Sequence, residues 1–179
     1  YMWIGGLSHD LPIGFVESTY KFLDYFEPKI DEFVNLLVHN KIFVERTADI
    51  GVMPQDVAIS YGATGPNLRA SGLKWDLRRD DPYSIYNKFE FEVPVGEGGK
   101  GSVGDCWDRF YVRVLEMKES IKIVRQALAS MPKDGDVHQS LPKKIKPPIG
   151  SIYKRTESPR GDLGYYIESD GSNIPYRLK

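Results

Sequence analysis

Cysteine is almost missing from this chain of 179 residues; Cys106 is the only one. That excludes an internal disulfide, a CxxC metal site and an iron–sulfur cluster supplied by these residues. A reducing compartment fits the same scarcity. Histidine is also sparse. His9, His39 and His138 are scattered and form no HxxxH or HxH pair, so no ligand set converges in sequence. Excess charge is absent: 24 basic and 25 acidic residues give a net charge of −1 and a pI near 6.4. A nucleic-acid partner would call for a clustered basic excess, and none is expected. The local exception, Pro142 to Pro148, reads as a solvated basic linker. No apolar run approaches the roughly 20 residues that span a bilayer. The opening, Tyr1-Met2-Trp3-Ile4-Gly5-Gly6, has neither the basic flank nor the cleavage site of a signal peptide. There is no internal repeat. The chain starts without Met and ends on Tyr176-Arg177-Leu178-Lys179 inside an apparent strand, so it reads as a segment of a longer protein.

Three familiar patterns are present and misleading. Gly96-Glu97-Gly98-Gly99-Lys100-Gly101 satisfies GxGxxG. The strand before it alternates with Glu90 and Glu92 and meets Pro94, unlike a central parallel strand, and no βαβ succession surrounds it. A mobile loop is the simpler expectation. It is not a P-loop either, since Lys100 is followed by Gly101 rather than Ser or Thr. Arg160-Gly161-Asp162 reads as a hairpin turn. Ser8, His9 and Asp10 are adjacent, and adjacent residues cannot face one another as a catalytic triad must. No self-contained active site is expected.

What is present is patterned mostly for helix. Phe15, Phe22, Phe26, Ile30, Phe33 and Leu37 share a helical face. Pro12 suits its start, and Pro28 predicts a kink or a split. Ile42-Phe43-Val44 reads as a short extended run, and Pro54 to Gly62 as a short helix. Phe89 to Val93 alternates and reads as a half-buried strand. Asp105 or Asp108 caps a long helix whose Phe110, Val114, Met117, Ile121, Val124 and Leu128 form a bundle stripe ended by Met131-Pro132. Strands are expected at 153–156 and 165–169, with a turn at Asp170-Gly171 and a third strand beginning at Tyr176. The fold class is therefore α+β, helix-dominant, with a small antiparallel sheet near the C-terminal end. The expected divisions are 1–131, helical, with a signature loop at 65–79; 132–150, a Pro- and Lys-rich linker; and 151–179, a small β portion.

The signature loop is GPNLRASGLKWDLRR, Gly65 to Arg79. It shows no helical or strand period. Gly65 permits positive φ, Pro66 fixes φ, and Gly72 gives a second corner. Arg69, Ser71, Trp75, Asp76, Arg78 and Arg79 crowd between and after them. A guanidinium in a shaped loop suits a carboxylate. On residue types alone this is either an Arg–Asp staple to the chain's own core or a subunit contact.

The ordered set of segments resembles one family. Gly5-Gly6-Leu7-Ser8-His9-Asp10-Leu11-Pro12, Ile42 to Thr47 with Gly51-Val52, the signature loop, Pro82 to Tyr86, Phe89 to Pro94, Gly104 to Arg113, and Ser158 to Gly164 with Ser169-Asp170-Gly171 carry the likeness. Together they resemble the D-type subunit, the quinone-site polypeptide, of the proton-pumping NADH–quinone oxidoreductase, respiratory complex I. The resemblance spans almost the whole chain. It implies a hydrogenase-large-subunit-like helical bundle in a peripheral subunit on the cytoplasmic side of a prokaryotic membrane. Such a polypeptide helps form the quinone cavity with the small cluster-bearing chain, and electron transfer to quinone is coupled to proton translocation. Further implied partners are a C-type subunit and the membrane arm. The family's quinone-head His and Tyr precede the Gly5-Gly6 segment, so no catalytic residue, cofactor site or metal site is assigned to these 179 residues. The neighbour's iron–sulfur cluster and the quinone belong to the full complex, and the segment alone is expected to be inactive. Gly5, Gly6, Arg69, Ser71, Asp76 and Arg78 are the residues the resemblance places at the quinone cavity or the cluster-chain interface. Trp3, where the family carries Arg, and residues 134–150 depart from its pattern. Two alternatives stay open: a large-subunit segment of an energy-converting membrane-bound nickel–iron hydrogenase, and a non-catalytic structural or assembly module.

Overall fold

A computed structural model describes residues 2–142 and 145–179; Lys143 and Lys144, in the basic stretch read as a linker, lie outside the described residues. Two helices organise the chain. α1 spans Phe15–Phe33. It buries Leu23 and Ile30, with Phe26 and Val34 partly covered beside them. The helix starts at Phe15 rather than Pro12. Pro12 accepts the Phe15 N–H at 3.1 Å, and Gly14 (φ 81) supplies the left-handed corner. Pro28 does not divide α1. The departure from α geometry comes later, as a π turn at Val34–Val38, where the His39 N–H reaches back to the Val34 carbonyl.

α6 spans Cys106–Ser130. Asp105 caps it, accepting the Asp108 N–H at 2.8 Å, and also accepts the Asp49 N–H at 2.9 Å. The expected stripe is the packed one: Val114 and Ile121 are buried, and Phe110, Met117, Val124 and Leu128 are partly so. Trp107 donates its indole N–H to the Val38 carbonyl at 3.0 Å. Near the other end, Arg125 pairs with Asp24 and Glu27. The contacts run in opposite order along the two helices, so α1 and α6 are antiparallel. Leu23, Ile30, Val38, Trp107, Val114 and Ile121 form the core between them. Burial of each is worth roughly 1.5–3 kcal/mol.

Two extended segments expected from the sequence are corrected. Ile42-Phe43-Val44 lies in α2, Lys41–Thr47. Asn40 caps it by accepting the Ile42 and Phe43 N–H groups at 2.9 and 3.3 Å. The cap outweighs the β preference of three residues, and Phe43 then packs edge-on against Phe110 at 4.9 Å. Phe89 to Val93 is extended and alternating, with Phe91 and Val93 buried, but it is not a strand. Side chains of α6 serve as its pairing partner. Gln126 both accepts from the Glu90 N–H (2.8 Å) and donates to its carbonyl (2.7 Å), and Glu119 accepts the Glu92 N–H at 2.8 Å.

α3, Gln55–Ser60, is the short helix expected after Pro54. The C-terminal sheet is also as expected, with order β3-β4-β5: β3 is Gly150–Ser158, β4 Gly161–Ser169 and β5 Arg177–Leu178. Ser158 pairs with Gly161, so Pro159 and Arg160 are the two-residue turn of the β3–β4 hairpin. The Arg-Gly-Asp tripeptide is thus a hairpin corner. The architecture is α+β with helices dominant. At the N-terminus a small hairpin pairs β1, Met2–Trp3, with β2, Gly6–Leu7.

Candidate functional site

The signature segment is not an irregular loop. It folds as two short helices, α4 at Gly65–Ala70 and α5 at Leu77–Asp80. Six and four residues are too few to display a 3.6-residue period, which is why the sequence looked structureless. Gly65 (φ 63) begins α4 where the hairpin passes. A Cβ there would lie 2.4 Å from the Gly161 Cα. The Thr64 hydroxyl accepts the Asp162 N–H at 3.0 Å across the same contact.

Arg69, in the last turn of α4, is 2% exposed. Its Nε donates to Glu116 of α6 at 2.7 Å, and its Nη1 to Glu157 of β3 and to the Trp75 carbonyl, each at 2.9 Å. Asp76 stands 3.7 Å from the same Nη1. Arg78 holds Asp76 in a bidentate pair at 3.0 and 2.7 Å and lies over the Phe91 ring at 5.0 Å. Asp76 also caps α5 through the Arg78 N–H at 2.9 Å. The second Glu157 oxygen accepts the Leu77 N–H at 3.2 Å. One buried cation thereby joins α4, α5, α6 and β3.

The surroundings set the carboxyls apart. Burial alone would raise Asp76, but the Arg78 fork and Arg69 hold it below the ordinary carboxylate value. Glu116 moves the other way: burial outweighs the attraction of Arg69 and pushes it up. Asp108 is likewise raised by burial, although it accepts the Gly98 N–H at 3.0 Å and the Gly104 N–H at 3.3 Å. Those bonds tie down the glycine-rich loop that the sequence suggested was mobile. Gly96 also donates its N–H to the Arg69 carbonyl at 2.9 Å, and a Cβ on Gly96 would meet the Ala70 carbonyl oxygen at 1.9 Å.

An open cavity of ≈ 510 Å³ sits on the node, with Arg69, Arg78, Arg113, Glu116 and Glu157 in its wall. Of the sequence-derived candidates, Arg69, Asp76 and Arg78 meet here. Ser71 is buried one residue after α4's end and donates to the Met53 carbonyl at 2.8 Å, fastening the node to the chain before α3. Gly5 and Gly6 pack elsewhere. Gly5 accepts the Gln139 N–H, Leu7 donates to Val137, and Gly6 bridges His138. A Cβ at Gly6 would lie 2.3 Å from the Val137 oxygen, so residues 137–139 of the expected linker lie flush against the glycine pair. Glu116, Glu157 and Arg113 escaped sequence reasoning. Glu157 is 88 positions from Arg69, and no local pattern links them. Among the described residues no group of three or more His, Cys, Asp or Glu side chains is placed to hold a metal, and no helix is long and apolar enough to cross a membrane.

The signature segment supplies Arg69, Asp76 and Arg78 to the node, and Glu116 and Glu157 lie within a few residues of two further segments that carried the family resemblance. Comparison with known proteins gives the same family. The family described as "Respiratory-chain NADH dehydrogenase, 49 Kd subunit" matches residues 1–148 and 137–179. The D subunit of the NADH-quinone oxidoreductase of Chlorobaculum tepidum is 54% identical over 182 residues, covering 100% of this chain and 46% of the relative. Its counterpart in Chlorobaculum parvum is 53% identical with the same coverage. The first of the D subunits of Cytophaga hutchinsonii is 48% identical over 186 residues, covering 100% of this chain and 47% of the relative. The chain belongs to the 49 kDa subunit family of the respiratory-chain NADH dehydrogenase. It spans about half the length of the curated relatives it matches.

Proposed function

We propose that this chain is part of the peripheral-arm subunit of respiratory complex I that helps form the quinone-reduction cavity. It docks the small cluster-bearing chain, and electron transfer to quinone is coupled there to proton translocation. The C-type subunit and the membrane arm are further partners, at the cytoplasmic face of a prokaryotic membrane. These 179 residues bind no cofactor of their own. The electrons arrive from a neighbour's iron–sulfur cluster, and the isolated segment is inactive. Gly5, Gly6, Arg69, Ser71, Asp76 and Arg78 contribute to the cavity or the cluster-chain interface, Arg69, Ser71 and Asp76 doing so by holding the surface in shape from beneath.

The observation that carries this reading is convergence. Segments far apart in sequence, each resembling the same family, fold onto one point: Arg69 of the signature segment, Glu116 just beyond the Gly104–Arg113 segment, and Glu157 just before the Ser158–Gly164 segment. Asn67 adds a 3.1 Å hydrogen bond from Arg113, and Gly65 meets Gly161. The test is Arg69→Ala in the complete polypeptide within its complex. Loss of quinone reduction or of subunit assembly is expected. Wild-type quinone reduction in an intact complex would contradict the reading. A second check is elemental and flavin analysis of the purified segment, where stoichiometric nickel, iron or flavin would be equally damaging.

A further inference from the structure

The node leaves one arginine of its cavity without a carboxylate. Arg113 lines the cavity beside Arg69, Arg78, Glu116 and Glu157. Arg69 is taken by Glu116 and Glu157, and Arg78 by Asp76. Arg113 has neutral partners only, the Arg109 carbonyl through Nη1 and the Asn67 side-chain oxygen at 3.1 Å through Nη2. Arg109, one turn earlier on α6, likewise donates to the Gly104 and Gly51 carbonyls and to Cys106 Sγ. Among the described residues neither arginine has a carboxylate within ion-pair distance. Like charges at i and i+4 on a helix repel. Burial, reinforced by Arg109 and Arg69, holds the Arg113 guanidinium below its ordinary value even with Glu116 nearby. A half-buried guanidinium facing open space, next to a second unpaired one, is a place where negative charge is missing.

We propose that this cavity is the receptor for an acidic side chain, an Asp or Glu carboxylate presented by a polypeptide segment packed over it, with Arg113 as the binding fork. A guanidinium fork matches a carboxylate in shape and charge. A phosphate dianion fits less well, because the other two arginines of the wall are already engaged and Glu116 and Glu157 repel a second negative charge. The carboxylate belongs to the remainder of the same polypeptide: the curated relatives are about twice as long as this chain, so the wall described here is about half of what such a polypeptide builds. The proposal stands apart from the reading above, because the polypeptide itself fills the cavity.

Arg113→Lys in the complete polypeptide, studied alone and in the purified complex, turns the fork into an amine that a water-soluble carbodiimide couples to any carboxyl touching it. Peptide mapping then locates the bond. The native pair of Lys118 and Asp31, 2.7 Å apart, is the internal control. The expected product joins position 113 to an Asp or Glu outside the 179 residues. It is expected in the polypeptide alone as well as in the complex; a product that forms only in the complex, with a neighbouring subunit's carboxyl, overturns the proposal. No product at position 113 while the control pair couples, or coupling only to Glu116, overturns the proposal. Should the variant fail to fold or assemble, phenylglyoxal modification of the wild-type complex decides. Arg113 reacting at least about tenfold more slowly than Arg109, which is also half-buried and bonded to neutral groups but lies outside the cavity wall, is the supporting result, and any smaller difference overturns it. A wild-type complex that cannot reduce quinone would remove the proposed function while leaving the coupling result standing.

Discussion

α6 is held to its neighbours by charge on two sides, and the two sides are physically different. On one, Arg125 reaches Asp24 and Glu27 of α1 at 2.8 and 3.1 Å, and Lys118 reaches Asp31 at 2.7 Å. On the other, Glu116 meets Arg69 at 2.7 Å. The distances are nearly the same. The settings are not: the Arg125 side chain is 34% exposed and Asp24 69%, whereas Arg69 is 2% and Glu157 4%. Water screens the first group fully and meets the second only at the cavity rim, where the Glu116 side chain is 17% exposed. Separation alone therefore says little about what an ion pair contributes. The α1 side already has an apolar core beneath its surface pairs. At the Arg69 side the charges themselves join four elements.

The comparison breaks most sharply at Arg69. Arg69→Ala strands Glu116 and Glu157 in the interior, and the expected loss is about 3–5 kcal/mol, read from denaturant unfolding of the complete polypeptide. Asp76→Asn comes next. It uncouples Arg78, removes a negative neighbour of Arg69 and weakens the α5 cap, for roughly 3 kcal/mol at neutral pH. Its pH dependence has a definite sign. The folded Asp76 carboxyl lies below its unfolded value, so its contribution is present above the ordinary carboxylate range and is lost as pH falls through the folded value. The gap between wild type and Asp76→Asn should narrow on acidification. A gap that stays constant would mean the ionised carboxylate is not what Asp76 contributes.

A smaller effect comes from geometry. Gly65→Ala places a methyl 2.4 Å from the Gly161 Cα in a left-handed residue, and about 1–3 kcal/mol is expected. An unchanged unfolding midpoint would show that α4 and the hairpin are not pressed together there. Smallest is Arg125→Ala, for which no shift in the midpoint is expected, at low or high salt. A loss matching that of Arg69→Ala would erase the distinction between the two sides.

What the sequence made legible follows the same division. α6 was readable because it is long enough for its apolar period to show, and Asp105 was one of the two residues offered as its cap. On α1 the period gave the helix but not its buried face: Ile30 and Phe26 turn to the core, whereas Phe15, Phe22, Phe33 and Leu37 are exposed and Leu23 and Val38 are buried in their place. The C-terminal hairpin was readable from its turn residues. The node was only half visible. Arg69, Asp76 and Arg78 stood out as charges in a segment without a period, yet their partners Glu116 and Glu157 lie on a helix and a strand that looked ordinary. α2 was misread because Asn40's cap decided against three β-preferring residues. Phe89 to Val93 was misread because alternation reports which side chains are buried, not what pairs with the backbone, and here Gln126 and Glu119 take a strand's place.

The most direct measurement is a pair of double-mutant cycles in the complete polypeptide, Arg69→Ala with Glu157→Ala and Arg125→Ala with Asp24→Ala. A coupling of about 1.5–3 kcal/mol for the buried pair, and none outside error for the exposed pair, is the result this account predicts. Equal couplings would contradict it, because burial would then not be what separates the Arg69 node from the ordinary charged surface of the helix.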